Sequence, residues 1–232
     1  MRLTYTLLIV VLATAALLAA GKVLPEITFI FHPNNFIHGL IKFQAFALIL
    51  SLFILTMVSM VFPESKALLA IGELGKMAAK ERWLGINGHT TWTKNAFQLL
   101  FFISTGTAVF MFLGVKYTDS LSNFHWWFVP FVLLFSLTNS FAEEIIFRYT
   151  VVGILNNHHP KIFVQIISAV LFGLPHYFGN PSGIIGVVMA GVLGYVLCKV
   201  TIETKGITIA WVIHFVQDVI IFTALMMINI KP

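Results

Sequence analysis

The sequence predicts an all-α fold, a polytopic membrane helix bundle of about seven (six to eight) transmembrane helices. Hydrophobic residues make up 59% of the 232 residues, and charged residues only 10%. A soluble domain normally has about 25% charged residues. Several charge-free segments are also close to the length of about 20 residues that a helix needs to cross a bilayer. The chain length fits one bundle better than several domains.

The predicted spans follow one another along the whole chain. The first could be a signal peptide, because it has a basic start and small residues at its end; we interpret it as a retained span, since several more spans follow. An even count would result if it were cleaved, or if residues 30–41 re-entered the membrane. In the sixth span, Gly186, Ala190 and Gly194 have the spacing of a close helix contact. The spans cover residues 7–20, 43–62, 96–115, 126–156, 162–178, 184–197 and 207–228.

A polar stretch, residues 64–95, separates the second span from the third. Its apolar and charged residues alternate at helical spacing, which predicts a helix lying on the membrane surface. The positive-inside bias places this stretch on the cytoplasmic side, with the N-terminus inside and the C-terminus outside. We therefore divide the chain into N-terminal membrane helices with this segment, residues 1–95, and a helical core, residues 96–232. The basic residues of the stretch are Lys66, Lys76, Lys80, Arg82 and Lys94.

The net charge of +5 indicates membrane orientation and contact with anionic lipid, not binding of nucleic acid. No run of Lys or Arg supports a nucleic-acid partner. Because Cys198 is the only cysteine, an intrachain disulfide and a multi-cysteine metal site are excluded. We interpret Cys198 as a small buried apolar residue.

Three charged residues interrupt the fourth span. Insertion of an ionised group near the middle of a bilayer costs about 2.5–3.5 kcal/mol on the mildest insertion scale. The presence of three such residues in one span therefore indicates a functional or structural role. Glu144 and Arg148 are four residues apart and share a helical face, which allows an ion pair. Glu143 points about 100° away from Glu144, so it is free to face a cavity.

Two histidines lie in the later spans. Glu143 and His176 are each about 20 Å from the turn between their spans, so antiparallel helices would place them at one depth. His214 and Asp218 share a face of the last span. A start of that span at residue 207 puts His214 only about 10 Å deep, so alignment with Glu143 requires an earlier start or a tilt. No chemistry is assigned to His32, His38, His89, His125, His158 or His159.

This set of side chains suits hydrolysis by general acid–base catalysis. A carboxylate beside an imidazole can hold and deprotonate a water molecule. A second imidazole can donate a hydrogen bond to the oxyanion that forms on the attacked carbonyl. The sequence has no Gly-x-Ser-x-Gly motif. A water nucleophile is therefore favoured over a side-chain nucleophile.

Three motifs within residues 128–228 follow one another in a fixed order. In this order they resemble the CAAX-protease and bacteriocin-processing (CPBP) family of intramembrane proteases, also called the type II CAAX prenyl protease family. The resemblance covers nearly half of the chain. The motifs are Glu143-Glu144-x-x-x-Arg148, Phe172-x-x-x-His176 and His214-x-x-x-Asp218.

The resemblance implies an endopeptidase with a glutamate-activated water and no cofactor. Glu143 and His176 would hold the water, and His214 would stabilise the oxyanion. Glu144 and Arg148 would support the site by orienting and pairing. The implied partners are a peptide or membrane-protein substrate and the lipid bilayer. We expect a multi-pass protein of the cell (inner) membrane of a prokaryote.

The last motif position departs from the pattern of the family, which often has asparagine there. An asparagine amide can donate a hydrogen bond to an oxyanion, whereas Asp218 can donate only if it is protonated. An ionised Asp218 would instead orient His214.

Two alternatives remain at this point. Glu143, His176 and His214 could be the ligands of a zinc ion, with Glu144 as the base, although no His-Glu-x-x-His motif is present. The protein could also be a non-catalytic membrane protein, a transporter or an immunity scaffold, that keeps the polar site. An evident internal repeat, which transporters often have, is missing from the sequence.

Overall fold

In the part of the chain that the structure describes, eight α-helices build the bundle. The computed structural model describes residues 1–27, 29 and 31–230. Seven candidate spans in this part of the chain are long and apolar enough to cross a membrane, so the predicted all-α multi-pass bundle is confirmed. The helices are α1 Arg2–Val23, α2 Asn35–Val61, α3 Trp92–Tyr117, α4 Phe128–Glu144, α5 Thr150–Leu155, α6 Lys161–Gly173, α7 Gly183–Thr204 and α8 Thr208–Asn229.

The fourth span is not one regular helix. A π-helix, Ile145–Tyr149, joins α4 to α5. Its widened turn is closed at Thr150, whose backbone N–H and side-chain hydroxyl both donate to the carbonyl of Ile145. Such π segments occur mostly as single turns within α-helices and are frequent at functional sites. The 3₁₀ helices are Leu24–Glu26, Pro63–Leu69, Arg82–Leu84, Leu121–Asn123 and Leu174–Phe178.

Helices α6 and α7 approach each other closely where small residues meet. A Cβ atom added to Gly194 would lie 3.1 Å from Cβ of Phe172, and one added to Gly173 would lie 2.7 Å from the carbonyl oxygen of Val187. The close contact expected for the small residues of the sixth span is therefore present at Gly194. It fixes the backbone that carries Phe172.

Helix α1 is part of the packed bundle. Its residues Val10 and Ala13 belong to the same buried cluster as Ile54 and Val58 of α2. Residues 35–61 form one continuous helix, so this part of the chain does not re-enter the membrane. Ile30, in the segment considered for re-entry, lies outside the described residues.

The polar stretch 64–95 does not form the predicted surface helix. Residues 92–95 already belong to α3, and residues 64–91, which we call the cap loop, are irregular apart from two 3₁₀ helices. Gly72 and Gly88 have φ angles of 92° and 86°, which a right-handed helix cannot contain. Ala78 and Ile86 are buried against α7 and α8 and do not face lipid. The spacing of apolar residues suggested a helix, but they pack against protein.

The cap loop covers the turn between α7 and α8. Backbone N–H groups of Glu73 and Ile207 donate to the carbonyls of Thr204 and Leu68, at 2.6 and 3.0 Å. Thr204, Gly206 and Ile207 are buried beneath it. Because this turn is recessed below the cap loop, α8 begins deeper in the bundle than a helix that starts at the membrane surface.

We expect Gly206→Ala to destabilise the protein. The added Cβ would lie 2.5 Å from the carbonyl oxygen of Ala70 and 2.8 Å from Cα of Gly72, and backbone atoms cannot move aside cheaply. Overpacking of this kind costs about 1–3 kcal/mol. Thermal unfolding in detergent measures the effect. Gly106→Ala is the matched control, since nothing lies within 4 Å of its added Cβ; an equal effect of both changes would contradict the close contact.

Candidate active site

Glu144 and Arg148 form a buried pair at the junction of α4 and the π-helix. Both side chains are completely buried, and Arg148 Nη1 lies 3.3 Å from Glu144 Oε1. The angle does not make this contact a hydrogen bond, so the attraction is mainly Coulombic. The guanidinium also lies 4.0 Å from the centre of the Phe172 ring, a cation–π contact. This pair fixes Glu144 inside the protein.

His214 lies among three carboxylates. Its Nδ1 is 2.8 Å from Glu144 Oε1, and its Nε2 is 3.4 Å from Glu143 Oε2 and 3.8 Å from Asp218 Oδ1. An ionised carboxylate can only accept, so Nδ1 carries the proton that bonds Glu144. The earlier start considered for the last span is absent, since α8 begins at Thr208; the recessed position of this start brings His214 to Glu143 and Glu144. The histidine therefore reaches α4 from the second turn of its helix.

Asn139 connects the remaining carboxylates. Its Nδ2 donates to Glu143 Oε1 at 3.2 Å and to Asp218 Oδ2 at 3.1 Å. Gln44 of α2 donates in turn to Asn139 Oδ1 at 3.3 Å, and Thr138 donates to Gln44 Oε1 at 2.9 Å. One amide thus bridges two acids, and α2 holds the orientation of that amide.

His176 and Glu143 line the same cavity of about 370 Å³. His176 lies in the 3₁₀ helix after α6, where its Nδ1 is 2.7 Å from the carbonyl oxygen of Phe172. Since a carbonyl only accepts, Nδ1 donates, and Nε2 of the neutral ring can accept a hydrogen bond. Apart from these two polar groups the wall is largely apolar, with Leu17, Leu18, Phe43, Phe147, Pro175 and Phe178 among its residues.

The structure thus brings Glu143, Glu144, Arg148, His214 and Asp218 into one cluster. His176 joins through the shared cavity and the Phe172 ring, whose centre is 4.7 Å from the His176 ring and 5.5 Å from the His214 ring.

Sequence reasoning missed two residues of the cluster, Asn139 and Gln44, and the contact made by a third, Phe172. Asn139 and Gln44 are polar side chains within apolar spans, and Asn139 precedes Glu143 by one helical turn. These two features were a usable signal. Phe172 was part of a motif, but nothing in the sequence indicated that its ring would lie on Arg148.

The described residues do not fit a zinc site. No group of three or more His, Cys, Asp or Glu side chains in this part of the chain is arranged to hold a metal ion. Cys198 is completely buried, as expected from its apolar surroundings, and does not line the cavity.

We expect Asn139→Asp to reduce peptide cleavage, because it replaces the bridging donor with a third carboxylate beside Glu143 and Asp218. A hydrogen bond to a charged group contributes about 1.5–3 kcal/mol, which corresponds to a loss of about 10- to 100-fold. Asp218→Asn alone should be mild, and the double variant should regain activity because it restores one amide and one carboxylate. Measuring kcat/KM of the three variants checks the bridge; no recovery in the double variant would contradict it.

Comparison with protein families adds an independent observation. Residues 125–220 match the family model for Rce1-like proteins, type II CAAX prenyl endopeptidase Rce1-like. This segment, less than half of the chain, is similar to that family. The resemblance inferred from the three motifs is thereby confirmed, and the Rce1-like segment contains all six candidate residues. At the level of the family, it indicates an endopeptidase embedded in the membrane. Searches of curated proteins and of solved structures find no match.

Proposed function

We propose that this protein is an intramembrane endopeptidase that activates a water molecule with Glu143 and His176. The observation that carries the proposal is the different surroundings of the two adjacent glutamates. Glu144 is completely buried against Arg148 and His214, whereas the Glu143 side chain is 21% exposed and lines the cavity beside His176. The Rce1-like match supports a peptide as the substrate.

The proposed reaction uses one water and no covalent intermediate. Glu143 takes a proton from a water that also donates to Nε2 of His176, and the water oxygen attacks the carbonyl carbon of the peptide bond. His214 in its doubly protonated form donates from Nε2 to the resulting oxyanion while Nδ1 remains bonded to Glu144. Glu143 then gives the proton to the leaving nitrogen, and the peptide bond breaks.

Other nucleophiles have no comparable support. The hydroxyl of Ser140 donates to the carbonyl of Ser136 at 2.6 Å and accepts from Trp211, so it is already engaged. The Cys198 thiol lies in the buried cluster around α4 and α5, away from the cavity. Both observations favour water.

Hydrolysis in H₂¹⁸O tests the proposal. Purified protein in lipid vesicles would be incubated with a pool of apolar peptides, and mass spectrometry would follow the products. We expect one ¹⁸O atom in each new C-terminal carboxylate, with no products from Glu143→Ala. Equal products from both proteins would refute the assignment of Glu143. A wild-type protein that cleaves nothing would favour the non-catalytic interpretation.

We further propose that the reaction needs no metal ion, because no group of three or more His, Cys, Asp or Glu side chains in the described residues is arranged to hold one. Activity should therefore persist after exhaustive treatment with a strong zinc chelator. The parallel measurement is the zinc content of active protein. Loss of activity that zinc alone restores, together with stoichiometric zinc, would replace this mechanism with a metal-dependent one.

A further inference from the structure

The two membrane faces of the bundle differ in charge. The cap loop, the start of α1 and the α7–α8 turn meet at one face, where Arg2 pairs with Glu64 at 2.5 Å and Lys205 pairs with Glu73 at 2.6 Å. Nine of the fourteen Lys and Arg residues lie towards this face, which we call the basic face. They are Arg2, Lys66, Lys76, Lys80, Arg82, Lys94, Lys161, Lys199 and Lys205.

The opposite face has few positive charges. In the described residues they are Lys22, Lys42 and Lys116. Lys42 is buried and donates to the backbone carbonyls of Leu24 and Ile27, and Lys199 on the basic face is likewise buried, against Glu203, so each face has one buried lysine. Because basic loops are retained in the cytoplasm, this asymmetry places the basic face inside and the opposite face outside.

The cavity lies in the half of the bundle away from the basic face. Helix α1 runs away from the basic face and lines the cavity with its last turns, from Thr14 to Lys22. Helix α6 runs in the same direction, and the residues that follow it, Pro175 to Gly179, form another wall. Phe43, near the start of α2, completes this end. Glu143 contributes from the middle of its span.

The path from the basic face to Glu143 is closed. Every residue of the π-helix Ile145–Tyr149 is buried, and its Phe147 forms part of the cavity wall. Ser65 at the start of the cap loop donates to the Tyr149 hydroxyl at 2.7 Å. A Cβ added to Gly153 would lie 2.6 Å from Cβ of Ser65, so the cap loop packs in close contact with α5.

We propose that the substrate reaches Glu143 from the face opposite the basic face, the extracytoplasmic side of the membrane. The inference rests on the proposed function for the identity of the reaction and on the cavity for the route. The substrate class is then an apolar segment of a membrane-bound or exported polypeptide, cut in the outer half of the bilayer. A prenylated tail presented at the cytoplasmic surface approaches the closed side.

Labelling of single cysteines tests the route independently of turnover. Lys22→Cys places a thiol at an exposed residue that lines the cavity, and Gly75→Cys places one in open space on the cap loop. A membrane-impermeant maleimide would be applied to spheroplasts and to inverted vesicles of a bacterial host. We expect Lys22→Cys to react in spheroplasts and Gly75→Cys to react in inverted vesicles. Wild type is the control, since its buried Cys198 should remain unlabelled.

A second readout connects the route to the reaction. Attaching a bulky maleimide to Lys22→Cys from outside should reduce cleavage of an apolar peptide at least about 10-fold, whereas the same reagent on Gly75→Cys in vesicles should not. Labelling of Lys22→Cys only in inverted vesicles, or full activity after its modification, would overturn the route. Neither result would affect the cleavage by unmodified protein on which the proposed function depends.

Discussion

Glu143→Gln is expected to abolish peptide-bond hydrolysis while leaving the protein folded. The amide keeps the size of the side chain and can still accept from Asn139, but it cannot take a proton from water. Loss of a positioned general base reduces rates by about 100- to 10,000-fold. The measurement is kcat with a cleaved peptide, accompanied by the unfolding temperature of the same preparation.

The control for this change is Glu26→Gln, which removes a carboxylate from an exposed position after α1. It should leave cleavage unchanged. If Glu143→Gln kept the wild-type rate and Glu144→Gln were stable but inert, the base would be Glu144. The burial of Glu144 argues against that result, and its substitution should affect folding or positioning more than the chemical step.

Arg148→Met is expected to give the largest loss of stability. It leaves Glu144, which is completely buried, without its arginine partner, so that among the described residues His214 is the one cationic group still beside it. Breaking a buried ion pair by removing one partner costs about 3–5 kcal/mol. The change also removes the guanidinium from the Phe172 ring. The free energy of unfolding in mixed micelles measures the loss.

A double-mutant cycle separates the charge from the packing. Glu144→Gln with Arg148→Met removes both charges, and the amide oxygen introduced by the first change could still accept from His214. The double variant should therefore be more stable than Arg148→Met alone. Lys116→Met, at an exposed site near the end of α3, is the control for loss of one positive charge. Equal losses for the single and double variants would show that the ion pair contributes little.

The membrane fold could be predicted from the sequence, because the lipid bilayer requires long apolar segments. A span must satisfy its backbone internally, so long apolar segments identify helices with little ambiguity. The irregular structure of the cap loop could not be predicted in this way. Its apolar residues have helical spacing, but Ala78 and Ile86 are buried by α7 and α8, contacts that no local pattern contains.

In the cluster around Glu144, too, the local contacts could be predicted from the sequence and the long-range contacts could not. The spacing of four between Glu144 and Arg148 predicted their pairing, because one helical face is a local property. The bridge from Asn139 to Asp218 joins residues 79 apart, and the contact of Gln44 with Asn139 joins residues 95 apart. Such contacts depend on how three helices are arranged. The polar character of these residues could mark them as candidates, but not as partners.

The π-helix Ile145–Tyr149 makes the length of this span as important as its composition. Directly before it, α4 carries Glu143 and Glu144; at its last residue, the Tyr149 hydroxyl accepts a hydrogen bond from Ser65 of the cap loop. Each residue turns an α-helix by about 100°. Removing one residue from the widened turn would therefore rotate the two glutamates relative to their anchor. Evolution of this protein can exchange side chains around the cavity more freely than it can insert or delete a residue here.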